Sequence, residues 1–162
     1  LSASFGYLPV ATGFEHPGQF GTHAATAGSS LVLPEWGGGP LTSLKTGIEG
    51  SLNVLKYRGH LAGTATGPAT VPLITKRSLM LASVPGVLEA NVDASLVGRP
   101  LEPGPLGWIT NAVTGERIQE FEVKEEGWLL MMATTAPSIV GPGDFAFMTG
   151  LATDDLAVPG AS

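Results

Sequence analysis

The sequence predicts a mainly β protein: a small compact domain of β-barrel or sandwich type, carrying an extended N-terminal arm and at most one short helix. Three observations lead there. Glycine (23 residues) and proline (13) are abundant in a chain of 162, and both destabilise helix interiors, by about 1 and about 3 kcal/mol relative to alanine. From residue 57 onward, short apolar runs alternate with Gly, Pro and Asn turns, the pattern of strands and tight connections. No period of 20 to 50 residues repeats, which sets aside solenoids and propellers.

Three segments follow from this pattern: an arm over 1–40, a β-rich domain over 41–150 and a C-terminal tail over 151–162. The first segment has little charge and no sustained period. A structureless loop of that length is unusual inside a compact domain, so Phe5, Tyr7, Phe14, Phe20 and Trp36 read as anchors of an arm that lies on a partner. The same composition also suits an irregular layer folded over the chain's own domain.

Next, Leu41, Leu44, Ile48, Leu52 and Leu55 recur at offsets of three and four after Pro40, a helical stripe with proline near its first position. Gly47 and Gly50 each weaken it, so a short helix or a single turn is expected, and from Leu52 the text also reads as strand. "ATVPLIT" (69–75) and "SLMLASV" (78–84) read as strands, with Pro72 confining the first to an edge or bulge. "VLEANVD" (87–93) has strand length. In "VGRPLEPGPLGWITNAVTGE" a short strand at Leu101, a Pro103-Gly104 turn, a strand over 108–110 and a Thr114-Gly115 turn follow in order. "EFEVKEEGWLLMM" alternates Phe121 and Val123 with charged residues and reads as a hairpin turning at 125–127. "DFAFMTG" (144–150) is the last strand, with Phe145 and Phe147 on one face.

Charge and composition narrow the function. A formal net charge of −6 disfavours nucleic acid, whose binding requires clustered Lys and Arg. No run approaches the roughly 20 apolar residues of a spanning helix, so no membrane partner is expected. Zero cysteines exclude disulfides and thiolate sites. Only 14% of residues are charged, below the usual quarter, and such a neutral surface suits an assembly.

No constellation for catalysis emerges. His16, His23 and His60 lack metal-ligand spacing. The serines at 29, 30 and 51 lack a nucleophile-elbow context. Glu120 and Glu122 share one face of an amphipathic strand and read as its wet side. No phosphate cradle is visible. Trp36, Trp108 and Trp128 are candidates for a sugar platform, but read more simply as core or interface anchors. The expectation is therefore a non-enzyme with no catalytic residue, cofactor or metal.

The order Gly-Arg-Pro-Leu (98–101), Pro-Gly, a short apolar strand, Asn-Ala and Thr-Gly-Glu (114–116) resembles the small β-rich decoration, or cement, proteins of tailed-phage heads, over about residues 85–150. That resemblance implies a structural virion protein on the outer capsid surface, a homo-trimer that bridges major capsid subunits through its arm. Strand addition to an exposed sheet edge would supply the affinity. Two other readings remain open: an extracellular filament or pilus subunit assembling by strand donation, and a secreted carbohydrate-binding module or small hydrolase.

Overall fold

The structure, a computed structural model, describes residues 2–12, 18–29, 31–34, 44–133 and 137–160. As expected, the protein is mainly β. Its strands form two sheets, with no closed barrel among the described residues, and two helices accompany them. The chain divides into two units, the first taking described residues up to 75 and from 152 onward, the second taking 76–151. Strands β2 (Thr70–Leu81) and β9 (Phe145–Ala157) each begin in one unit and end in the other.

The first unit opens with a 3-10 turn, Ser2–Phe5, followed by the two-residue strand β1 (Val10–Ala11). β1 pairs in parallel with β2, Val10 opposite Leu73 and Ala11 opposite Ile74, and Thr12 N–H extends the ladder to the Ile74 carbonyl at 3.1 Å. The strand addition expected on a neighbouring molecule is thus made within the chain. Pro72, which has no N–H to give a ladder, stands just before this register. Helix α1 (Phe20–Thr26) is one short, wholly unburied element.

Helix α2 (Leu44–Tyr57) is longer than its glycines foretell. Tertiary contact explains the difference: a Cβ built on Gly50 would lie 2.4 Å from the Phe5 ring, so glycine is what lets the ring seat on the helix. Asn53, one turn on and fully buried, fixes the same contact. Its amide nitrogen donates to the carbonyls of Phe5 (3.3 Å) and Thr66 (2.7 Å), and its oxygen accepts from the Thr66 N–H at 2.9 Å. One side chain thereby ties the 3-10 turn, the helix and the 64–67 loop together. Tyr7 closes the group through a 2.8 Å hydroxyl contact with Thr66 Oγ1. The accompanying apolar cluster is small, with Ala65, Val71 and Val158 at its centre.

The second unit is a sandwich-like pair of strand layers. One layer has the order β6-β5-β3-β8, formed by β3 (Gly86–Ala90), β5 (Gly104–Thr110), β6 (Arg117–Val123) and β8 (Ser138–Val140). The other has the order β9-β7-β4, with β4 (Arg99–Leu101) and β7 (Gly127–Met132). Leu88, Leu106, Ile109, Phe121 and Val123 from the first layer meet Leu101, Leu129, Ala146 and Phe147 from the second in one buried cluster. Phe121 and Phe147 pack edge to face at 5.5 Å, the offset that ring quadrupoles favour. Burying side chains of this size contributes about 1.5–3 kcal/mol each before ordering costs.

The β5–β6 hairpin follows the sequence's turn grammar. Asn111 Oδ1 accepts from the N–H groups of Val113 and Thr114, and Gly115 supplies the positive φ of 72° that an L side chain adopts only with strain. The hairpin expected at 125–127 does not form. β6 pairs with β5, whereas β7 pairs with β4 and β9, so the Glu125-Glu126 turn carries the chain from one layer to the other. Alternation reports which face of a strand is buried, not which strand lies beside it.

Replacing Asn53 with Ala removes the hydrogen bonds that its amide makes to the Phe5 and Thr66 carbonyls and to the Thr66 N–H, at a cost of about 1–3 kcal/mol. The expected outcome is faster hydrogen exchange at the Thr66 amide, with Leu88 and Ile109 in the second unit unchanged. Undisturbed protection at Thr66 in the Asn53→Ala variant contradicts the assignment of Asn53 as the tie.

Candidate functional site

Among the surface hollows of the second unit are two of about 310 Å³ each. Strand β2 brings Lys76, Arg77 and Ser78 to the first, the end of β6 and the turn after it bring Glu122, Lys124 and Glu125, and β9 brings the buried Thr149. Three cations and two carboxylates leave a small positive excess. Lys124 approaches Glu122 at 3.7 Å, an exposed pair of the kind that contributes about 0–1 kcal/mol, so its ammonium is easily redirected to an incoming anion. This hollow suits a carboxylate-bearing ligand.

The second hollow is lined by Glu89, Ala90, Val92, Asp93, Ala94, Met132 and Pro137, two carboxylates and no cation. Thr110 Oγ1 donates to Glu89. Asp93 caps the 3-10 turn Ala94–Leu96, its Oδ1 accepting from Ser95 N–H at 2.7 Å. Hydrogen bonding from Ser95 holds the Asp93 carboxyl below its ordinary range, because it stabilises the charged form.

None of the residues weighed for chemistry in the sequence come together. His23 and His60 are exposed on separate elements, and His16 lies outside the described residues. Among those residues no three His, Cys, Asp or Glu side chains are grouped to hold a metal. The Ser51 hydroxyl donates to the Gly47 carbonyl of its own helix at 2.7 Å. Glu120 and Glu122 are exposed on β6. Trp108 lies in one layer of the second unit and Trp128 in the other, and the Arg117 guanidinium sits 3.5 Å from the centre of the Trp108 ring. Trp108 and Trp128 thus form no common sugar platform.

The five aromatic anchors also separate. Phe5 is 4% exposed and packed on α2, Tyr7 is half-buried, and Phe20 is 78% exposed on α1. Phe14 and Trp36 lie outside the described residues. Sequence inspection missed Asn53 and the meeting of Lys124 with the Lys76-Arg77 pair around one hollow. Asn53 follows Gly47 and Gly50 at intervals of three, a small-residue face that was legible. The basic group is assembled from distant strands and carries no local signal.

Comparison with known proteins defines the fold class. No protein-family model matches the chain, and no curated protein matches it. Solved structures do: the fold is that of proteins named as succinylglutamate desuccinylases and aspartoacylases. The chain is similar to the ectoine utilization protein EutE (DoeB) from Ruegeria pomeroyi in its apo form, with a TM-score of 0.73 and 21% identity over 92% of this chain and 48% of that one. The product-bound form gives 0.74 and 22% over 92% and 47%. A succinylglutamate desuccinylase/aspartoacylase from Rhodobacter sphaeroides gives 0.70 and 22% over 93% and 47%. At these identities the likeness is one of fold, and the chain spans just under half the length of each.

This finding overturns the phage-head reading. Structures similar over nearly the whole chain are named for enzymes, so the resemblance to decoration proteins, the major capsid partner, the shell-bound homo-trimer, the virion location and the non-enzymatic role all lose their basis. The filament and carbohydrate-binding readings go with them. Gly, Pro, Asn and Thr-Gly at strand ends answer a backbone requirement that any tight β domain imposes, and therefore do not discriminate between families.

Because the Asp93 carboxyl is held low, its contribution to the 94–96 turn is complete above the ordinary aspartate value of about 3.9 and is lost only as pH falls through the lower folded value. The Ser95 amide resonance should titrate with a midpoint below 3.9, and lose that titration in Asp93→Asn. A midpoint at or above the ordinary value contradicts the cap.

Proposed function

We propose that this chain forms part of an enzyme that hydrolyses the amide bond of N-acylated acidic amino acids. The observation that carries the proposal is the match of 92% of the chain to the EutE structures at TM-scores of 0.73 and 0.74, together with the desuccinylase and aspartoacylase names of further neighbours. In such a reaction water adds to the acyl carbon, the C–N bond breaks, and a carboxylate and a free amine leave. Among the described residues no three His, Cys, Asp or Glu side chains are grouped to hold a metal. What the described residues offer is binding: Lys76, Arg77 and Lys124 border a hollow whose cations suit the carboxylates of an acylated acidic amino acid.

The test is release of free amine from N-succinylglutamate, N-acetylaspartate and the uncharged N-acetylglutamine amide by the complete gene product. Turnover of the acidic substrates with kcat/KM at least ~10-fold above the uncharged one supports the proposal, a ratio of the size that charged and polar substrate contacts deliver. No release from any acylated amino acid overturns it.

A further inference from the structure

Helix α2 presents its apolar side to solvent. Gly47, Gly50 and Asn53 are buried against the chain, whereas Leu44, Ile48, Leu52 and Leu55 are 71%, 51%, 38% and 40% exposed. With 100° between successive residues, the buried trio is centred on one side of the helix and the four apolar residues fall together within about 80° on the other. A solvent-facing helix normally shows the reverse arrangement. The stripe runs about 16 Å, from 11 residue steps at 1.5 Å each. It is rimmed by the Lys45–Glu49 pair and by Lys56, whose ammonium is held by the Thr64 carbonyl. An apolar centre with a polar rim is the anatomy of an interface, and exposed patches of this kind mark interaction sites.

Two observations identify the occupant. Exposed large apolar side chains concentrate in the first unit, where Phe20, Leu31, Leu33 and Leu61 join the stripe and Tyr57 on α2, although its own buried cluster is small. Moreover, the structures that share this fold over 92–93% of the chain contain about as much polypeptide again. We infer that the α2 stripe is the docking face for the counterpart of that other half, a folded polypeptide presenting an apolar helix or sheet face, joined to this chain or supplied as a separate subunit. A helix offers no free backbone edge, so the contact is made by side-chain ridges in grooves and not by strand addition. This inference rests on the proposed enzyme reading for its choice of partner.

The chain contains no cysteine, so single cysteines report local exposure. Ile48→Cys samples the stripe and Val113→Cys, at a residue 94% exposed in the β5–β6 turn, samples open surface. Each is labelled with a thiol reagent in two preparations: the 162-residue chain alone, and the form purified from its native source through a tag on this chain. Labelled peptides are quantified by mass spectrometry and the mass of each preparation by sedimentation. In the native form, position 48 is expected to react at least ~10-fold more slowly than position 113. In the chain alone, both react at comparable rates and the chain sediments as a monomer. Equal rates in the native form overturn the inference. So does protection in the chain alone accompanied by self-association, because the occupant is then a second copy. Protection in a native form that cleaves no acylated amino acid overturns the enzyme reading and leaves the docking face standing, while cleavage with position 48 unprotected does the opposite.

Discussion

Satisfaction of the Asn53 amide governs the first unit. A buried amide without partners costs more than a partly exposed leucine, because the polar group forfeits its hydration outright while the apolar one loses only a fraction of its burial energy. Asn53 faces inward with its amide paired to Phe5 and Thr66, and Gly50 beside it admits the Phe5 ring. A helix has a single rotation about its axis. Once the Gly47-Gly50-Asn53 face is committed inward, Leu44, Ile48 and Leu52 are carried to the opposite side whatever their hydropathy. The outward apolar stripe is a geometric consequence of the inward Gly47-Gly50-Asn53 face.

The second unit needs no such arrangement. Leu88, Ile109, Phe121 and Phe147 face inward together, with clean apolar and polar alternation confined to β6, and the unit's turns place polar groups where backbone donors need them. Function is distributed accordingly. The second unit supplies rigid strands from which Lys76, Arg77 and Lys124 border one hollow, while Glu89 and Asp93 border another. The two hollows thus differ in charge, one bordered by cations as well as carboxylates and the other by carboxylates without a cation.

The neutral composition, read from the sequence as suiting an assembly, is not specific to one kind of partner. A low share of charged residues says that much surface is spared from water; it does not say what covers it. An interface with the remainder of an enzyme and a contact with a capsid leave the same compositional trace. Among the aromatic residues at the front of the chain, composition marks Phe5 and Phe20 alike, yet one is enclosed and the other exposed. Their difference depends on whether a glycine and an asparagine some 45 residues later offer a seat.

What the sequence determined by itself is local: the predominance of strand, the β4–β5 stretch, the Thr114-Gly115 turn and the inward faces of β6 and β9. Each of these depends on residues within a few positions of one another, where the backbone preferences of Gly, Pro and Asn and the two-residue period of a strand act directly. Only the tertiary structure decided that β1 adds to its own β2, that β6 and β7 part into different layers, that α2 runs fourteen residues through two glycines, and that Lys76 and Lys124 share a hollow. These outcomes join residues well beyond a local stretch, from Met132 with Phe147 to Val10 with Leu73, or override local propensity through such a contact. The energy that selects them comes from distant partners, of which no short stretch of chain carries a record.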